Sequence, residues 1–177
     1  MFEKLVKLNC YSKNKMLKVL AKNLLEKFYS CEINCTQIDK SVLFAHHARG
    51  CTIIAAKICE NVVIYQNVTI GSNMRYNKTN GEWENLGVPI ICKNVVIADG
   101  AKILGTIIIG ENSVVAAGAI VTKNIPANSI IYDVNRFKPK DANYDLIFNP
   151  NMIDARKIIE ANYKLIEEYN KNVGKIC

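Results

Sequence analysis

The sequence predicts a mainly β protein, a parallel β-helix of hexapeptide repeats with helices at both ends. The first observation is a period. Ile58, Ile64 and Ile70 stand six apart, and Ile91, Ile97, Ile103, Ile109, Val115 and Val121 stand six apart again. An amphipathic helix needs apolar spacings of three and four, and a lone strand needs two, so six fits neither. It fits a chain that makes a short strand, turns a corner and repeats, closing a triangular coil every three hexads. The second observation is the corners. Gly71, Gly110 and Ala98 directly follow the inward residue, and Asn61, Asn94 and Asn112 come three after it. Gly and Asn tolerate the left-handed backbone that tight corners use. The third is that all nine repeat positions are β-branched, as residues stacked at the strand spacing of a sheet should be.

The elements follow in order. Residues 1–30 are read as an N-terminal helical cap, because Leu17, Leu20, Leu24, Leu25 and Phe28 fall at helical spacing. Seven lysines against two glutamates over residues 2–30 leave two roles for this stretch. It can lie on a membrane surface, or it can close the open end of the β-helix; the second is preferred because a terminal coil exposes strand edges. Residues 31–131 are the β-helix. It is interrupted by an excursion at 72–88 that shows no period and holds the only tryptophan, Trp83. Residues 132–177 form a C-terminal extension. In it Ile153, Ile158, Ile159, Leu165, Ile166 and Tyr169 predict a helix over 151–172, after the breaker Asn149-Pro150.

Composition narrows function. The chain has 177 residues, half of them hydrophobic, and a net charge of +7. That excludes a disordered chain and suits an anionic ligand. The first residues, with alternating charge, do not read as a signal peptide, and no apolar run is long enough for a membrane span. A cytoplasmic location is expected, with the seven cysteines as buried thiols rather than a disulfide framework or a metal site. The two histidines are adjacent, His46 and His47. Chemistry that needs histidines from separate segments of one chain is therefore excluded, the β-helical zinc enzymes included. Nucleic-acid binding has no motif behind it.

Three motifs carry a resemblance: Gln66-Asn67-Val68-Thr69-Ile70-Gly71, Gly100-Ala101-Lys102-Ile103-Leu104-Gly105, and Gly118-Ala119-Ile120-Val121-Thr122-Lys123-Asn124-Ile125-Pro126. With them, the stretch from Ile38 to Lys123 resembles the hexapeptide-repeat acyltransferases, which fold as a left-handed parallel β-helix. It looks most like the serine acetyltransferase branch and its relatives that acetylate surface-polysaccharide sugars. The resemblance implies an acetyl-CoA-dependent O-acetyltransferase, a homotrimer with sites between neighbouring subunits, and a small-molecule hydroxyl as acceptor, sugar or serine. The alternatives are serine O-acetylation in cysteine biosynthesis, N-acetylation of an amino sugar, and a non-catalytic β-helical assembly module.

The resemblance also implies site residues. A His acts as general base on the acceptor hydroxyl. A gapless register from Ile38 through Phe44 and Thr52 to Ile58 selects His46. The family's His-x-x-Gly pattern, met by His47-Ala48-Arg49-Gly50, selects His47. The carboxylate that orients the base lies fifteen residues upstream in the family. Glu32 is fourteen before His46 and fifteen before His47. The pantetheine arm of CoA is expected along Ala98, Asp99 and Ala117, with Asp99 departing from the family's small residue. Thr122 and Lys123 meet the phosphates, aided by Arg136. Val88 stands where serine-specific relatives carry a second His, associated with the acceptor carboxylate. That departure, the short N-terminal helical part and the ending Lys175-Ile176-Cys177 lean towards a sugar, for which Tyr76 and Trp83 offer stacking surfaces.

Overall fold

The computed structural model describes residues 1–133, 144–145 and 155–172. Two helices, α1 (Phe2–Tyr11) and α2 (Lys15–Tyr29), lead into a parallel β-solenoid. Asn14 caps α2 by accepting from the backbone amides of Met16 and Leu17, and Ser30 ends it in a left-handed conformation. The solenoid strands are β1 (Glu32–Ile38), β2 (Leu43–Phe44), β3 (Thr52–Ile58), β4 (Val63–Ile64), β5 (Thr69–Gly71), β8 (Ile90–Ile91), β9 (Val96–Ile97), β10 (Lys102–Leu104), β11 (Ile108–Ile109), β12 (Val114–Val115), β13 (Ile120–Val121) and β14 (Ile130–Ile131). A hairpin, β6 (Met74–Asn77) and β7 (Glu82–Asn85), fills the excursion, and β15 (Tyr144–Asp145) pairs with its β6 edge. Helix α3 (Ala155–Lys171) lies within the predicted 151–172 span.

Three faces stack in register. The inward columns are Ile33–Ile53–Ile70–Ile103–Val121, Ile38–Ile58–Ile91–Ile109–Ile125, and Phe44–Ile64–Ile97–Val115–Ile131. Every one of the nine repeat positions read from the sequence points inward and is buried. The core is therefore a stack of β-branched side chains along the solenoid axis, and burying each stabilises by roughly 1.5–3 kcal/mol.

Two sequence expectations change. Thr52 was expected inward; instead Ile53 pairs with Ile70 and is fully buried, while Thr52 is half-buried. The corner after Phe44 is longer than the gapless register allowed, and the run from Ile53 to Ile58 is one residue shorter than a hexad. The physical reason is side-chain chemistry: a threonine in the column would place a hydroxyl in a dry core, and the chain spends its extra residue at an exposed corner instead. The second change concerns corners. Left-handed backbone falls on Asn61, Asn94, Asn112 and Asn128 (φ 56–59°), as expected for the first three, but not on Gly71, Gly110 or Ala98. Gly110 is required by space, since a Cβ there would collide with the backbone of Pro126 and Ala127. Gly71 meets nothing within 4 Å.

The asparagine corner is tied along its length. Asn61, Asn94 and Asn112 each donate through Nδ2 to the Oδ1 of the next, at 3.3, 2.9 and 3.3 Å, ending on Asn128. At the N-terminal end α1 closes the solenoid with Phe2, Leu5 and Val6, while Asn9 Nδ2 and Tyr11 Oη donate to the carbonyls of Ile33 and Asp39. Along the second face α3 lays Ile166 and Tyr169 on Ala56, Val88, Ile90, Cys92 and Ile108. Five cysteines are free thiols, but Cys92 is in a disulfide, a departure from the all-thiol expectation.

Candidate active site

Both histidines occupy the long corner between the third face of the first coil and the first face of the second. His46, His47 and Ala48 all adopt left-handed backbone, with φ of 51°, 60° and 49°. Such a conformation costs a non-glycine residue roughly 1 kcal/mol or more each, and runs of it cluster at functional sites. The corner closes on Gly50 (φ 69°), whose missing Cβ makes room for the Asn67 side chain on the next coil.

The two rings face different surroundings. His47 packs edge-on against Phe2 of α1 at 5.3 Å between centroids and lies 5.7 Å from Tyr29. His46 lies 6.0 Å from Tyr65. Together they line a cleft of about 730 Å³ between α1 and the first coil, with Phe2, Val6, Tyr11 and Phe44 as apolar wall and Lys7 and Lys40 as cations. No sequence pattern marks this cleft, because α1 meets the corner only in three dimensions.

Along the same edge the corner column continues as Arg49, Gln66, Asp99 and Ala117. The amides of Asn67, Gly100 and Gly118 donate to the carbonyls of Arg49, Gln66 and Asp99 at 2.8, 3.2 and 2.8 Å. Ala98, Asp99 and Ala117 thus share an edge with the histidines. Ala117 is exposed, and the Asp99 carboxylate accepts from Asn67 Nδ2 at 3.0 Å. Gln66 Oε1 is buried on this edge without a hydrogen-bond partner.

The remaining candidates sit elsewhere. Thr122 and Lys123 are exposed at the corner between the first and second faces, and Arg136 lies outside the described residues. The β6–β7 hairpin leaves from that same first-to-second corner, so Tyr76 and Trp83 do not converge with the histidines in one chain. They pack on one another at 5.5 Å, and Arg75 Nε donates to Glu84 at 2.7 Å. The Glu32 carboxylate pairs with Lys22 Nζ at 3.3 Å and bonds neither histidine. Val88 is sealed beneath α3.

Among the described residues no cysteine lines the cleft. Burial pushes Cys10 up to about 11 and Cys31 up to about 12, and raises Cys35 and Cys51 as well, so all stay protonated near neutral pH. Among the described residues, no group of three or more His, Cys, Asp or Glu is placed to hold a metal ion.

No family model matches the chain. Over 102 residues it is 41% identical to a serine acetyltransferase of Buchnera aphidicola subsp. Schizaphis graminum, covering 55% of this chain and 36% of that one. Over 134 residues it is 30% identical to a serine acetyltransferase of Staphylococcus xylosus, covering 75% and 57%. Among solved structures, Neisseria gonorrhoeae serine acetyltransferase in complex with serine is 26% identical with a TM-score of 0.52, over 68% of this chain and 46% of that one. The chain spans between a third and three fifths of the length of these curated relatives. The inward Ile columns, the small-residue edge and these sequence matches agree: the chain is a serine acetyltransferase-like protein, built on a hexapeptide-repeat β-helix.

Proposed function

We propose that the protein is an acetyl-CoA-dependent O-acetyltransferase in which His47 is the general base. The observation that carries this is the left-handed histidine corner opening into a cleft, on one edge with the small residues Ala98 and Ala117. The observed register favours His47 over His46. The inward residue after the corner is Ile53, six after His47, where the gapless reading had needed Thr52, six after His46. With His47 the distance back to Glu32 is also fifteen residues, the spacing of the family's orienting carboxylate.

The chemistry is a single acyl transfer. His47 takes the proton of the acceptor hydroxyl as its oxygen attacks the thioester carbonyl carbon. A backbone N–H stabilises the tetrahedral oxyanion. The carbon–sulfur bond then breaks, and the CoA thiolate leaves with the proton held by the imidazolium. Ala98, Asp99 and Ala117 would hold the pantetheine arm, and Lys123, on a different corner of the same chain, would answer a phosphate of a CoA bound between neighbouring subunits. A homotrimer is supported by an outward apolar column on the third face, Leu43–Val63–Val96–Val114–Ile130, in which Leu43 and Ile130 are 58% and 71% exposed.

Serine is the acceptor the relatives favour, since the matched enzymes are serine acetyltransferases and one holds serine. A sugar hydroxyl is the second reading. Its support is Val88, which is apolar, 1% exposed and unable to pair with a carboxylate.

The test is thiol release from acetyl-CoA with serine, hexoses and amino sugars as acceptors. His47→Ala is expected to lower kcat by about 10²–10⁴-fold with CoA affinity unchanged, and His46→Ala to stay within about tenfold of the parent. A crippled His46→Ala beside a mild His47→Ala would reverse the assignment. Turnover of serine alone would remove the sugar reading.

A further inference from the structure

Helix α2 buries little of its apolar surface. Only Ala21 and Leu25 are buried, whereas Met16 is 82% exposed, Val19 60%, Leu20 and Phe28 55% each, and Leu17 40%. At 100° per residue Met16, Leu20, Leu24, Leu17 and Phe28 fall on one continuous side that adjoins the Ala21–Leu25 seam. Lys15, Lys18 and Lys22 line the opposite flank, and Lys27 lies inside the apolar side with its Nζ 5.8 Å from the Phe28 ring centroid. The helix carries four lysines and a single glutamate, Glu26, which pairs with Lys22 at 3.6 Å.

A contiguous exposed apolar side on a surface helix marks an interaction site. We propose that this side of α2 docks on an anionic membrane surface. The helix lies in the plane of the headgroups, with Met16, Leu17, Leu20 and Phe28 at the acyl boundary and the lysines at the phosphates. Charge decides between this occupant and a second copy of the chain. A second copy would bring a helix of four lysines and one glutamate against another, and both Lys27 ammonium groups would be buried in the apolar contact. At a membrane each instead extends its stem along the acyl boundary and leaves its charge among phosphates. No described helix is long and apolar enough to cross a bilayer, so the contact is peripheral. The inference stands on α2 alone and holds for either acceptor.

The test is co-sedimentation of the full chain with vesicles of phosphatidylcholine alone or mixed with phosphatidylglycerol. Expected are partitioning onto the mixed vesicles only, loss of it as salt rises, and at least a roughly tenfold fall for the pair Met16→Glu and Leu20→Glu. Circular dichroism and thermal melting check that this pair still folds. Lys15→Gln with Lys18→Gln leaves the apolar side intact and is expected to weaken partitioning as well. No partitioning, or partitioning that neither pair alters, overturns the proposal. So does self-association without vesicles that the first pair abolishes, because a second copy would then cover the face.

Discussion

Asn94 holds two constraints with one side chain. Its φ of 57° is costly for most residues, and its amide both accepts from Asn61 and donates to Asn112. Asn94→Ala removes both bonds and keeps the strained backbone, so a loss of about 2–3 kcal/mol is expected in a urea titration. Asn94→Gly relieves the backbone and loses only the bonds, so about 1 kcal/mol is expected. Equal losses for the two would mean that the ladder, not the backbone, sets the cost. The asparagine slot was legible in the sequence because Asn is one of the few side chains suited to left-handed backbone. The roles of Gly71 and Gly110 were not, since crowding at Gly110 comes from a turn sixteen and seventeen residues later. The register around His46 and His47 was not legible for a related reason. A period of six locates the columns, but a long exposed corner absorbs an extra residue without any mark in the apolar pattern.

Elements differ in how much of their packing the sequence exposes. The inward columns were readable because each strand repeats the same chemistry, whereas the site cleft depends on α1, whose amphipathic pattern says it must pack but not where. The same holds for α3: its apolar stripe predicted a helix, and the structure alone shows that Ile166 and Tyr169 seal Val88 and the second face. The hairpin excursion read as a break in period, and its strands β6 and β7 are polar and short. The outward column of the third face carries its own prediction. Val114 sits mid-column, flanked by Val96 and Ile130. Val114→Glu places a carboxylate in the expected trimer contact without touching the inward core. Light scattering is expected to give the trimer mass for the parent and the monomer mass for the variant, with little change in melting temperature. A parent that is already monomeric would remove the trimer from the proposed function.

Across the whole molecule, each coil is bonded only to the coil before it and the coil after it, so stability is close to a sum of neighbouring contacts. The two ends of that stack are unequal. At the first coil α1 inserts Phe2, Leu5 and Val6 and supplies side-chain bonds to the carbonyls of Ile33 in β1 and of Asp39 just after it. At the last coil β14 pairs with β12 alone among the described strands, and Ile130 and Tyr132 are 71% and 75% exposed. Melting of such a stack has a direction. Opening starts where a coil has a single neighbour and travels towards the closed end, much as a zipper fastened at one end can part only from the other. Amide exchange followed by mass spectrometry should therefore show a gradient: β14 and β13 fastest, β12 and β10 intermediate, and the amides of β4 and β9 slowest. Uniform exchange across all coils would mean that the solenoid opens as one unit. A gradient of this kind also ranks the site by durability, because the histidine corner lies in the coils that part last and remains assembled while the far coils fray.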